Sequence, residues 1–110
     1  MQDRFARTPR APYYAVIFSS QRKDVDPEGY RAASERMVEL AKKVPGYLGM
    51  ESARNADGFG ITVSYWESTG AIEAWKMQTE HAAIRERGRW LWYEHFEVRV
   101  TKVERAYSRA

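Results

Sequence analysis

Apolar residues recur along the chain in two rhythms, and their alternation orders the elements. Tyr13 to Ser20 (YYAVIFSS) is a short run rich in aromatic and β-branched residues, as in a strand buried on both faces. Gln21 to Asp24 is polar and turns the chain. Tyr30, Ala33, Met37, Leu40, Ala41 and Val44 then share one helical stripe. The start signal is complete, with Asp26 as cap, Pro27 at the first helical position, and Val25 and Tyr30 at the staple positions. Lys42 and Lys43 suit the negative end of the helix dipole, and Pro45-Gly46 stops the helix. Tyr47 to Arg54 reads as a strand, with Leu48 and Met50 opposed to Glu51 and Ala53. Phe59 to Trp66 alternates Phe59, Ile61, Val63 and Tyr65 against Gly60, Thr62, Ser64 and Trp66. The Asn55–Gly58 turn between them predicts a hairpin.

Ser68 or Thr69 caps the next helical stretch, which turns Ile72 and Trp75 inward. Thr79 offers a second cap, before a stripe of Ala83, Ile84, Gly88 and Leu91. Residues 68–92 therefore read as one helix bent at Gln78 or as two separated there. Tyr93 to Arg105 alternates again, with Phe96, Val98 and Val100 on one face and His95, Glu97, Arg99 and Thr101 on the other. The order is βαββαβ, and right-handed crossovers put both helical units on one side of the sheet. The pattern predicts an α+β, ferredoxin-like sandwich, a four-stranded antiparallel sheet with helices on one face. Its other face, half polar and half aromatic, is either solvated or covered by a second subunit. Its aromatic content favours a homodimer.

With 110 residues, of which 44% are apolar, the chain suffices for one core without staples. Residues 1–11 carry Arg4, Arg7 and Arg10 against Asp3 alone and read as a flexible basic arm; residues 12–110 form the domain. The net charge of +3 resides largely in that arm, and elsewhere the charges are interspersed. That argues against nucleic acid as a partner. Zero cysteines exclude disulfides, thiolate metal sites and thiol chemistry. The longest uncharged run, Ala11 to Gln21, is shorter than the ~18–20 residues of a membrane span. No signal-peptide pattern is present, so a cytoplasmic protein is expected.

An ordered set of residues resembles a known family. Tyr65-Trp66-Glu67-Ser68, Ala71, Ile72, Trp75, His81, Gly88-Arg89, Trp92-Tyr93, Phe96, Val98, Val100, Val103-Glu104-Arg105 and Tyr107 are similar to the antibiotic biosynthesis monooxygenase (ABM) domain. Val44-Pro45-Gly46-Tyr47 and the first strand extend the likeness more weakly. The resemblance implies a dimeric α/β barrel, in which two ferredoxin-like sheets pack face to face. It also implies a choice among cofactor-independent oxygenases of aromatic polyketides, heme-degrading enzymes, and non-catalytic binding or sensing domains.

In the cofactor-independent type, an electron-rich phenol that has lost its proton passes an electron to oxygen. The protein supplies a dry aromatic pocket, a proton acceptor and hydrogen bonds to the phenolate. On that reading no cofactor is needed and the ligand is a small aromatic molecule. Trp66, Trp75, Trp90 and Trp92 are the candidate pocket walls, His81 the proton carrier, and Arg99 the group that stabilises an anion. Each also has a plainer role: Trp75 as core packing, His81 as a helix-start hydrogen bonder, and Arg99 as an ion pair with Glu97. His95 reads as an interface residue, Gly88 as a close-packing position, and Arg85, Arg87 and Arg89 as a solvated face. The heme-degrading branch has a histidine ten positions after the helical tryptophan, where this chain has Arg85, and an asparagine on the first strand, where it has Phe18-Ser19-Ser20. No metal site is expected, because His81 and His95 lie on different elements with no metal-binding motif around them.

Overall fold

The two rhythms are realised in seven elements. The computed structural model describes residues 4–109, apart from the side chain of Thr79. The elements are β1 (Tyr13–Arg22), α1 (Pro27–Lys42), β2 (Tyr47–Arg54), β3 (Phe59–Trp66), α2 (Thr69–Met77), α3 (Thr79–Leu91) and β4 (Tyr93–Val103). The strands lie in the order β2-β3-β1-β4, and every neighbouring pair is antiparallel. This is the ferredoxin-like arrangement, with its second helical unit divided in two. Residues 1–3 of the arm and the Thr79 side chain, read as a cap, lie outside the described residues.

Asp26 starts α1 from a left-handed backbone (φ 46°), and its Oδ1 accepts the Gly29 N–H at 3.2 Å. Its Oδ2 accepts the indole N–H of Trp92 at 3.3 Å, tying α1 to the start of β4. Trp92 is only 2% exposed, so its N–H has little access to water. Asp26→Ala therefore removes a cap and orphans a buried donor. The expected cost is about 2–3 kcal/mol. Urea denaturation should show a lower midpoint at unchanged m; a shift equivalent to less than ~0.5 kcal/mol would contradict this account.

After α1 the chain turns at Gly46, where φ is 95° and an added Cβ would lie 2.7 Å from that of Ala71. The glycine lets β2 start directly beneath α2. The helices cover the sheet face that carries Val16 and Trp66. Two apolar clusters fill the layer. Ala33, Leu40, Ile84 and Trp92 form one; Ala41, Trp66 and Ala71 form the other, and Trp75 packs against both.

β1 is central and runs two residues beyond the apolar pattern, because Gln21 pairs with Phe59 and His95, and Arg22 with Tyr93. The inward positions of α3 are His81, Ile84 and Gly88, while Ala83 and Leu91 of the expected stripe are exposed. Val98 and Val100 face the helix side as the alternation requires. They remain 53% and 56% exposed because β4 is an edge strand reaching past the helices.

The opposite face carries Ala15, Ile17, Val63, Ile61, Phe59, and the His95–Thr101 alternation. The chain from residue 4 to 12 touches one corner of it. There the Ala6 N–H donates to Glu51 Oε2 at 3.1 Å, and the Thr8 hydroxyl donates to Tyr13 Oη at 3.0 Å. Among the described residues, no helix is long and apolar enough to cross a membrane.

Candidate functional site

The break between α2 and α3 builds the most unusual group of side chains. At Gln78 the backbone is extended (φ −60°, ψ 125°), and its N–H still donates to the Trp75 carbonyl at 3.2 Å. Its side-chain Oε1 accepts the His81 N–H at 2.5 Å and so caps α3. This folds His81 back over Trp75, with ring centroids 3.7 Å apart and planes 9° from parallel. Trp75 in turn stacks on Trp66 at 6.0 Å and 26°, and Tyr47 meets Trp66 edge-on at 5.3 Å. Trp66 has no exposed surface, and its indole N–H donates to Ser64 Oγ at 2.9 Å.

His81 Nδ1 lies 2.6 Å from the Trp75 carbonyl oxygen. A carbonyl only accepts, so Nδ1 carries the hydrogen and the neutral ring keeps its lone pair on Nε2. Burial pushes the His81 pKa below its usual 6.5; the Trp75 hydrogen bond opposes this and the Arg85 charge adds to it. The imidazole is therefore neutral at pH 7, with Nε2 unprotonated.

The other residues singled out from sequence do not join this group. Trp92 lies in the cluster of Ala33, Leu40 and Ile84, edge-on to Tyr30. Trp90 is 72% exposed and donates to Glu86 Oε1 at 2.8 Å. Positions two apart on a helix point to nearly opposite sides, so the spacing of Trp90 and Trp92 already separates them. Arg99 is exposed on the helix-free face opposite Ile17, across the sheet from His81. The Glu97 partner considered for it instead meets His95, whose Nε2 is 2.6 Å from Glu97 Oε2.

Sequence reasoning singled out Gln78 as a bend or a break but gave the cap to Thr79, because glutamine is outside the usual cap set. It missed the Tyr65 hydroxyl, which donates to Glu51 Oε1 at 2.5 Å. Burial and the Glu51 carboxylate push the Tyr65 pKa up to about 12, so it remains a neutral phenol. Among the hollows formed by the described residues, two are open to the surface. One, of about 350 Å³, runs between α1 and α3 past Ala32, Arg36, Glu80 and Arg87. The other, of about 260 Å³, lies over the helix-free face beside Phe5, Glu51 and Ile61. Neither is lined by Trp75 or His81. Among the described residues, no three His, Cys, Asp or Glu side chains gather where they could hold a metal ion.

Comparison with known proteins places this geometry. The chain is 56% identical over 105 residues to the Bacillus subtilis protein YqjZ, a match covering 96% of this chain and 91% of that one. Among solved structures it resembles SnoaB, a cofactor-independent oxygenase from Streptomyces nogalater. The TM-score is 0.73 at 13% identity, covering 87% of this chain and 97% of that one. A Shewanella oneidensis protein, SO0527, gives a TM-score of 0.74 at 13% identity, covering 86% and 94%. At such identities the two structures speak for the fold alone. A family model described as antibiotic biosynthesis monooxygenase matches residues 12–87, which span β1 through most of α3. The chain belongs to the antibiotic biosynthesis monooxygenase family.

Proposed function

We propose that this chain is a cofactor-independent monooxygenase of a small aromatic compound, working as a homodimer through its helix-free sheet faces. The observation that carries the reading is the neutral His81, whose ring lies on Trp75 and keeps its lone pair on Nε2. Trp75, which is only partly buried, offers a flat phenol its aromatic surface, and Nε2 accepts the phenol's proton. The resulting phenolate passes an electron to dioxygen, and the radical pair combines at an activated methylene carbon. Loss of water then leaves a carbonyl, so that one CH₂ and one O₂ become one C=O and one H₂O. The SnoaB likeness supports this reading through fold, and the family through kind. Oxygen uptake with anthrone-type phenols tests it: quinone should form in step with oxygen consumed, without added flavin, heme or metal. No uptake across such a panel overturns it.

A second reading, a non-catalytic small-molecule-binding dimer, is favoured by one observation: neither surface hollow is lined by Trp75 or His81. Binding of the same phenols, seen as quenching of tryptophan fluorescence with no oxygen uptake, would select it.

The dimer rests on the helix-free face, where Phe59 and Ile61 are each 42% exposed beside Val63 and Ile17. A carboxylate buried against the apolar Phe59–Ile61–Val63 stretch of that face would cost several kcal/mol. Ile61→Glu is thus expected to turn a dimer into a folded monomer by analytical ultracentrifugation, with near-native circular dichroism. A variant that sediments as the wild-type dimer would refute this placement of the interface.

A further inference from the structure

Trp66 pairs with Tyr14 near the start of β1; at the other end of that strand the helix-covered face gathers a second set of polar side chains from four elements. Arg22, the last residue of β1, holds its guanidinium carbon 3.8 Å from the centre of the Tyr30 ring on α1. Arg54, the last residue of β2, lies 5.7 Å from the same ring. Arg54 is well anchored, donating to Ser20 Oγ at 2.9 Å, the Gly58 carbonyl at 2.5 Å and the Ser20 carbonyl at 3.4 Å. Arg22 is not. One terminal nitrogen donates to the Val25 carbonyl at 3.1 Å, but its buried Nε has no hydrogen-bond partner. Among the described residues no carboxylate lies within ion-pair distance of either guanidinium.

Two partly buried cations around one phenol, without an acid to pair with, are costly to maintain. The two phenols of this corner are displaced from their ordinary pKa in opposite directions. Burial raises the Tyr30 pKa, but hydrogen bonding with Tyr93 and Ser34 and the Arg54 charge outweigh it, and the net shift is downward. Tyr93, from β4, moves upward through burial and its contact with Tyr30. The corner thus favours negative charge at the Tyr30 oxygen. The nearby Asp26 carboxylate is engaged by Gly29 and Trp92. A guanidinium fork matches the paired oxygens of a carboxylate or phosphate, and the Nε of Arg22 is an unused donor of that kind.

We propose that Arg22, Arg54 and the Tyr30 hydroxyl form a binding site for a small oxyanion, a carboxylate or phosphate group, distinct from the Trp75–His81 stack.

Thermal unfolding tests it, with sodium phosphate or sodium benzoate exchanged for chloride at constant ionic strength. The wild type should gain at least about 2 °C with one or both anions, as expected when a ligand binds only the folded state. Arg22→Leu should show no gain. A response to benzoate alone assigns a carboxylate, to phosphate alone a phosphate, and to both a general oxyanion site. An equal response in wild type and Arg22→Leu, or none in either, overturns the proposal. If Arg22→Leu does not fold, the wild type decides through tyrosinate absorbance at 295 nm. Bound anion and Tyr30 phenolate compete for the same cations, so the transition that Tyr30→Phe deletes should move to higher pH when the anion is added. An unmoved transition overturns the proposal.

Discussion

Replacing Trp66 by alanine is expected to destabilise the fold by about 3–5 kcal/mol, a large share of the ~5–15 kcal/mol typical for a domain. The ring has 0% exposure and is walled by Ala41 from α1, Ala71 from α2 and Val16 from β1, with Trp75 stacked on it and Tyr47 edge-on. These walls belong to separate elements, so they cannot all close on the space without moving a helix off the sheet. The small residues opposite the indole make its volume hard to replace: Ala41 and Ala71 have no reach. The hydrogen bond to Ser64 is lost as well. Trp66→Phe keeps an aromatic surface for Trp75 but not the N–H, and should cost about half as much. Urea midpoints read at constant m distinguish the two variants. A loss below ~1 kcal/mol for Trp66→Ala would mean that the layer collapses freely and Trp66 does not position Trp75.

The same tryptophan shows what a sequence discloses. Its alternation with Tyr65 fixes the face it lies on, because a period of two leaves a strand only two choices. Capping chemistry made α1 readable for a similar reason: Asp26, Pro27 and Gly46 each act within a few residues of their own position. The limits appear where geometry depends on distant partners. Gln21 and Arg22 look like turn residues and become strand because Phe59, His95 and Tyr93 stand opposite them. The His81–Trp75 contact requires a full backbone break at Gln78, where the sequence leaves a bent helix and two separate ones equally open. Arg99 and His81 could be placed as partners only while their faces were unknown; the sheet lies between them. Arg22, Tyr30, Arg54 and Tyr93 escape sequence reading because four separate elements bring them together, without motif or spacing.

Replacing His81 by phenylalanine should lower the rate of aromatic oxidation by about 10²–10⁴-fold while leaving the fold in place. Phenylalanine retains a flat ring to lie on Trp75, so the stack at 3.7 Å is conserved in kind. It loses the Nδ1–H bond to the Trp75 carbonyl, a cost of about 0.5–1.5 kcal/mol, since that carbonyl still accepts from Gln78. What disappears entirely is the Nε2 lone pair. The pH dependence carries the distinction further. Only neutral imidazole accepts a proton, and burial holds the His81 pKa below 6.5. The wild-type kcat/KM should therefore be level above pH 6.5 and fall on acidification through the folded-state pKa. Stability follows the same sign. The unfolded ring takes up a proton near pH 6.5 while the buried ring resists it, so the folded state loses ground as pH drops below that value. In His81→Phe both the acidic limb of kcat/KM and this share of the acid destabilisation should vanish together. If the variant loses its share of the acid destabilisation but keeps wild-type turnover and its acidic limb, His81 is a packing residue, and the proton acceptor must be sought elsewhere along the stack.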